Sequence, residues 1–392
     1  MRTVKPELFV PDCPTLFPSM LLPRRGSPAY PPFESPHAHW FYFARNAIWL
    51  LVKMLGLEGR EVLVPAYHHG VEIEALADAG ARPTFYRVGS RWEVDLEDAA
   101  RRIGPNTAAL YLIHYAGFPG PVLEMKTLAE RHGLPLIEDC ALSLLSSDGE
   151  LKLGTVGDIG IFCLYKTLPV PHGGVMVING ARRYAVPELP LPPVASTLSH
   201  ALSSVLKNAQ MRGGAAGRWL RSAVRLVGHS AVRAGQIERV ATGTAHFDRA
   251  HVDMGMSPIT LRIARGLEMG QIVERRRRNY FFLLGRLREV SQPLFSELPP
   301  GVCPLFYPLV VDDKPEVLER LWAAGIHAVD FWRDHHPACN PAEFPEVMRL
   351  RNSIVEIPCH QDLDPETMTR MAKVVRQVLV AARQSEPKRA RG

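Results

Sequence analysis

Lys166 stands in Ile159-Gly-Ile-Phe-Cys-Leu-Tyr-Lys166, and upstream of it an acidic pair, Glu138-Asp139, closes the apolar run Leu134-Pro-Leu-Ile137. An amine just past one buried strand and a carboxylate at the end of another suit pyridoxal phosphate chemistry. The lysine forms a Schiff base with the aldehyde, and the acid keeps the pyridine nitrogen protonated. Taken singly, a strand-end aspartate also reads as a helix cap, and a lysine before prolines as a surface residue. Their order and their common placement beside one sheet favour joint chemistry.

That placement depends on the elements around them. Helix Phe43 to Leu57, strand Glu61 to Val64, helix Val71 to Ala79 and strand Arg82 to Val88 come first. Helix Leu96 to Arg102, strand Thr107 to His114, helix Pro121 to His132 and a strand ending at Asp139 follow. This alternation predicts an α/β fold with a mainly parallel sheet covered by helices. Ligands of such sheets gather at the carboxyl ends of the strands, where His68, His69, His114, Tyr115 and Asp139 fall. A strand pair, Ile159 to Leu164 and Gly173 to Ile178, brackets Lys166 and the turn Pro169-Val-Pro-His-Gly-Gly174.

The rest of the chain divides by composition. Residues 1–38 are proline-rich and read as an extended arm, and 39–295 as a large domain. Within it, 181–250 opens on Pro187, Pro190, Pro192 and Pro193 and continues as a basic helical insertion with Lys207, Arg212, Arg218, Arg221, Arg225 and Arg233. One long helix is expected from Ser257-Pro258, with serine as cap and Ile259, Ile263 and Leu267 on one face, and it carries Arg275-Arg-Arg-Arg278. Strand Cys303 to Val311, helix Lys314 to Ala324, strand Ser353 to Ile357 and helix Pro365 to Ala382 predict a small C-terminal α/β domain over 296–383. A frayed basic tail, 384–392, follows it.

The 392 residues suffice for a large and a small domain, and 46% apolar with 8% aromatic residues describes a globular chain. Six scattered cysteines form no Cys-x-x-Cys pair and no zinc spacing, so the expected setting is a reduced cytoplasm without a structural metal. Arg45, Asn46 and Lys53 interrupt the apolar stretch from Trp40 to Leu57, which argues against a membrane span. The net charge of +6 suits steering of an anionic small substrate better than nucleic-acid binding.

Five motifs carry a family resemblance. They are Val62-Leu-Val-Pro-Ala-Tyr67, Gly80-Ala-Arg-Pro-Thr-Phe85, Leu128-Ala-Glu-Arg-His-Gly-Leu-Pro-Leu-Ile-Glu-Asp139, Gly157-Asp-Ile-Gly-Ile-Phe162 and Gly173-Gly-Val-Met-Val177. In this order the chain resembles the DegT/DnrJ/EryC1/StrS aminotransferases from about residue 41 to 380. The resemblance implies a pyridoxal phosphate transferase of fold type I, a homodimer, and transfer of an amino group from an amino acid to a keto sugar, commonly nucleotide-linked. Polysaccharide or secondary-metabolite biosynthesis is the implied setting.

By the same resemblance Lys166 is the Schiff-base lysine and Asp139 the partner of the ring nitrogen. Arg45 and Asn46 open the phosphate-binding helix, and His69 stands where an aromatic ring stacks on the cofactor. Cys163 replaces a phosphate-binding serine, Leu142 replaces a glutamine that meets the phenolic oxygen, and Asp253 replaces an asparagine lent by the partner subunit. His114, Tyr115 and His172 are candidate substrate contacts, and Phe331-Trp332 a pocket-shaping segment. Two rivals remain. One is a sugar dehydratase, disfavoured because related dehydratases replace the lysine by histidine. The other is a catalytically silent partner or regulator, motivated by Leu142, Cys163 and Asp253.

Overall fold

The computed structural model describes residues 8–22, 26, 29–182, 184–233, 240, 244 and 246–389. Parts of the proline-rich arm, of the basic insertion and of the tail therefore lie outside the described residues. Seven strands form one sheet. They are β1 (Ala38–Phe41), β2 (Glu61–Pro65), β3 (Arg82–Tyr86), β4 (Thr107–Ile113), β5 (Leu136–Cys140), β8 (Ile159–Cys163) and β9 (Gly174–Ile178), in the spatial order β1-β9-β8-β5-β4-β2-β3. The pairs β8-β5, β5-β4, β4-β2 and β2-β3 are parallel, whereas β9 runs antiparallel to both β8 and β1. Between β5 and β8 the short strands β6 (Ser147–Asp148) and β7 (Leu151–Lys152) pair as a hairpin.

Helices α1 (Ala44–Leu55), α2 (Val71–Asp78), α3 (Leu96–Arg102) and α4 (Val122–Arg131) alternate with the parallel strands. Strands β5, β8 and β9 are buried along their whole length, as continuous apolar runs between covered faces require. The basic insertion contains one long helical stretch, α5 (Val194–Arg233), which changes direction at Gly214, whose φ is 52°. A second sheet joins β10 (Phe306–Val310), β12 (Ile354–Pro358) and β11 (Val329–Asp330), all antiparallel. Helix α8 (Lys314–Ala323) packs on β11 and β12, α10 (Pro365–Arg389) packs on α8, and α9 (Pro345–Ser353) leads into β12. No helix among the described residues is long and apolar enough to cross a membrane.

The expected long helix from Ser257 is two helices, α6 (Pro258–Arg265) and α7 (Met269–Leu287). Ser257 caps α6 by accepting the Thr260 N–H at 3.1 Å, but Gly266 ends it, and the chain is extended at Glu268 before α7 begins. The apolar spacing hides this break because Ile263 and Leu267 are buried on either side of it. The tail expected to fray at 384 instead continues α10 to Arg389.

One glycine sets a distance on which the site depends. A Cβ at Gly174 would overlap the backbone of Phe43 and Ala44, so glycine lets the start of α1 press against β9. Gly174→Ala is expected to cost about 3 kcal/mol through overpacking, read as a lowered midpoint in denaturant unfolding.

Candidate active site

Side chains alternate along a strand, and on β5 this sends Glu138 and Asp139 to opposite faces. Glu138 accepts hydrogen bonds from His114 Nε2 at 3.1 Å, from the Gly157 and Val156 N–H groups at 2.7 and 3.1 Å, and from the Gly154 N–H. Burial alone would raise its pKa, but these donors hold it below the ordinary glutamate value. Glu138 is thus an anchor for the segment before β8.

Asp139 faces a cavity at the carboxyl end of the sheet. The Tyr111 hydroxyl, on β4, donates to its Oδ2 at 2.5 Å, and the Ala141 N–H donates to its Oδ1 at 2.8 Å. Burial pushes its pKa up to about 6, with the carboxylate of Glu72 also raising it and the Tyr111 bond opposing. Lys166 reaches the same cavity from the turn after β8. That turn is closed by hydrogen bonds from the Thr167 and Leu168 N–H groups to Leu164 O at 3.1 and 2.8 Å, and from the Leu164 N–H to Gly173 O at 2.9 Å. The cavity measures about 720 Å³ including its open mouth. The carboxylate and the amine named from the sequence therefore line one space.

Opposite them stands the start of α1. Its cap residue, Phe43, offers no side-chain acceptor, which leaves first-turn N–H groups for another partner. Arg45 lines the cavity with its guanidinium over the Phe43 ring at 3.9 Å, and no ion pair or hydrogen bond engages that guanidinium among the described residues. His69 also lines the cavity. Its backbone N–H donates to Glu72 Oε1 at 2.7 Å, while its Nδ1 is buried without a partner. Burial, reinforced by the positive charges of Lys166 and Arg45, lowers its pKa to about 4, so its ring is neutral near pH 7. Cys163 lines the cavity as well, its thiol pKa raised by burial.

Other candidates point elsewhere. Asn46 is buried and spends its amide on His251 O at 2.8 Å. His114 is saturated, because its Nδ1 accepts the Gly120 N–H at 2.8 Å while its Nε2 meets Glu138. Tyr115 donates to Tyr67 O at 2.7 Å, among packed aromatic rings. His172 stacks on Tyr42 with centroids 3.9 Å apart, and its Nε2 lies 3.2 Å from Thr260 Oγ1. None of these four is among the residues lining the cavity.

Sequence reasoning missed Tyr111, Glu72, Tyr165 and Thr244. Only alternation along β4 hinted at Tyr111, which shares the face of Asp139. Trp332, expected to shape the pocket, does line it, with a left-handed φ of 46°. Arg351 holds this arrangement from behind. Its Nη1 donates to His68 O, Trp332 O and Asp334 O at 2.9, 2.8 and 2.6 Å, and its Nη2 to Ala66 O at 3.2 Å. The segment bearing His69 is thereby tied to the one bearing Trp332.

Taken together, a neutral imidazole with an orphaned nitrogen, a guanidinium without a partner, a buried carboxylate and an amine suit a flat aromatic group that carries an anion and a carbonyl.

The model of the DegT/DnrJ/EryC1/StrS aminotransferase family matches residues 36–185. The chain is 33% identical to the GDP-perosamine synthase of Vibrio cholerae over 34% of its own length and 37% of that protein. It is 38% identical to the dTDP-4-dehydro-2,3,6-trideoxy-D-glucose 4-aminotransferase of Saccharopolyspora spinosa, over 33% of its own length and 34% of that protein. It thus spans little more than a third of the length of these curated relatives. Over almost the whole chain the fold is that of solved aminotransferases. The structure of TlmJ from Streptoalloteichus hindustanus superposes with a TM-score of 0.64 at 20% identity, covering 95% of this chain and 100% of that one. The expected fold type I architecture is thereby borne out.

Proposed function

We propose, from the premise that residues 36–185 belong to the DegT/DnrJ/EryC1/StrS aminotransferase family, that this chain is a pyridoxal-phosphate-dependent aminotransferase acting on a keto sugar. The observation that carries the reading is the convergence of Lys166, Asp139 and the unpaired Arg45 on one cavity. Lys166 would hold the cofactor's aldehyde carbon through Nζ, and Asp139 its ring nitrogen. His69 would cover one ring face, and Arg45 with the first-turn N–H groups of α1 would take the phosphate. When bound, the cofactor supplies an electron sink for the bond broken at the substrate carbon.

The remaining chemistry belongs to the chain. Asp139 would accept the ring N–H, and Tyr111, donating to Oδ2, keeps the carboxylate aimed. Lys166 Nζ, once free, would be the base that takes the proton from the donor's α-carbon and the acid that later delivers one to the acceptor's carbon. Leu142 lines the cavity where the family's glutamine would stand, and an apolar side chain would offer the phenolic oxygen no hydrogen bond.

Nucleotide-linked keto sugars are the proposed acceptors, because the two named relatives carry GDP- and dTDP-sugar names and the net charge of +6 attracts anions. The test is to load the purified protein with pyridoxal phosphate, convert it with glutamate or glutamine, and offer a panel of nucleotide keto sugars. Return of violet absorbance with one of them supports the assignment. A colourless protein that ignores the cofactor would favour the silent partner. Arg45→Gln is expected to weaken cofactor affinity on the order of a hundredfold, by removing a charged phosphate donor, as measured by absorbance titration.

A homodimer is part of the same proposal. Val194, Leu198 and Leu202 form an exposed apolar row along α5, a face that a second copy can cover. Leu198→Glu with Leu202→Glu is expected to shift sedimentation towards the monomer.

A further inference from the structure

Four consecutive arginines lie on α7, and the second of them reaches the turn that carries Lys166. Arg276 is fully buried, yet no carboxylate pairs with it among the described residues. Its N–H groups go to neutral oxygens instead. Nε donates to Gln361 Oε1 at 2.8 Å, and Nη1 to Pro304 O and Leu305 O at 3.1 and 2.9 Å. Nη2 donates to Thr167 O at 3.1 Å and to Lys166 O at 3.5 Å. Gln361 completes the ring of bonds by donating its own Nε2–H to Thr167 O at 3.0 Å.

Burying a guanidinium without an anion is expensive, and an apolar side chain would fill the same volume at lower cost. What the charge provides is a rigid, planar fork whose donors reach three segments at once. Those segments are the turn after β8, the start of β10 and the residues that follow β12. The effect on Lys166 is specific. The peptide joining Lys166 to Thr167 is held on one side by Leu164 O, which accepts the Thr167 N–H, and on the other by Arg276, which donates to the Lys166 carbonyl. With that peptide plane fixed, the direction in which the Lys166 side chain leaves the backbone is fixed too.

We infer that Arg276, backed by Gln361, is the positioning residue for Lys166, aiming the amine into the cavity by clasping the two carbonyls of the Lys166–Thr167 segment. This rests on the proposed function only for what the amine does there. The clasp itself is a property of the cofactor-free chain. Arg276→Lys keeps the charge but loses the fork. Gln361→Glu keeps an acceptor for Arg276 Nε, adds an anion that pairs with the guanidinium, and replaces the donor to Thr167 O by an oxygen that repels it, so it loosens the clasp without leaving the buried charge unpaired.

Both variants of the full chain are compared with the parent by hydrogen exchange without cofactor, by circular dichroism of the absorbance band after loading with pyridoxal phosphate, and by the half-reaction with glutamate. Exchange in a peptide covering 164–170 is expected to rise about tenfold, the factor that corresponds to one lost hydrogen bond, with β4 and β5 unchanged. The dichroic band should weaken. The limiting half-reaction rate should fall about a hundredfold, the cost of a misplaced reacting group, with half-saturation by glutamate within about twofold of the parent. If Arg276→Lys does not fold, Gln361→Glu carries the same measurements. Unchanged exchange and dichroism in Gln361→Glu, or exchange raised equally along the whole chain, would overturn the inference. A parent protein that takes up no cofactor would instead sink the functional reading, while the exchange measurement still decides the clasp.

Discussion

Lys166→Ala is expected to lower the amino-transfer rate about ten thousandfold, the upper range for removing a positioned acid-base group, and to abolish violet absorbance in the cofactor-loaded protein. Arg45, His69 and Asp139 remain, so the variant should still retain cofactor while losing the amine that bonds its aldehyde and moves the proton. His69 cannot take over as an equivalent base, because burial and the neighbouring positive charges hold its pKa at about 4. Without Lys166 that pKa should rise, since one of those charges is gone. A small primary amine added to the solution should partly restore turnover, because the truncated side chain leaves room for it. Restoration that depends on amine concentration would identify Nζ as the missing group. An unaltered rate in Lys166→Ala would remove the lysine from the chemistry altogether.

Much of this arrangement was legible in the chain, and the reasons differ by residue. Asp139 and Lys166 stand next to apolar runs whose ends mark the edge of a buried sheet, so their placement follows from strand periodicity alone. Arg45 was reached only through the family resemblance, because nothing local distinguishes it from a surface residue, whereas His69 fell at a strand end and owed to the resemblance only its part against a cofactor ring. His114 and His172 looked like ligand contacts for the ordinary reason that histidines at strand ends titrate in the useful range. The structure shows both engaged inside the protein instead. The partners of His114 lie within one β-α-β unit, but Thr260 meets His172 from far along the chain, and no spacing rule reports such a meeting.

The two arginines that hold the loops of the site teach the same lesson. Arg276 and Arg351 are both fully buried and both spend themselves on carbonyl oxygens. A run of four arginines on a helix faces nearly every direction, and nothing local tells which member helical geometry turns into the protein interior. The break between α6 and α7 was equally invisible, since Leu267 stays buried after the helix has ended. Strand β1 was hidden in the aromatic segment taken as the entry to α1, and it is ordered by pairing with β9 across the chain. Long-range pairing, not local preference, decided the strand and the buried arginines.

Asp139→Asn is the second change with a large expected effect, and its two consequences have opposite signs. Amino transfer should fall on the order of a thousandfold, because a neutral amide cannot hold a proton on the ring nitrogen as a carboxylate does. The cofactor-free protein, by contrast, should become more stable near neutral pH. The pKa of Asp139 is raised in the folded chain from an ordinary value of 3.8 to about 6, first by burial. A carboxyl group that holds its proton more tightly when folded favours folding below its unfolded pKa, and that contribution is lost as pH rises through the folded value. Between about pH 4 and pH 6 the native protein must give up a proton it binds better than the unfolded chain does, a loss of about 3 kcal/mol by pH 7. Asparagine occupies the same space without that charge, its Oδ1 accepting the Ala141 N–H and its Nδ2–H donating to the Tyr111 hydroxyl oxygen, which reverses that bond. The difference in melting temperature between Asp139→Asn and the parent, both without cofactor, should therefore be small below pH 4, grow through pH 6 and level off above it. Added pyridoxal phosphate should reverse the order, because the parent then gains a protonated ring nitrogen beside its buried carboxylate and the variant does not. A melting difference that is flat with pH would mean that Asp139 is not held in the low-dielectric setting on which its part in the site depends.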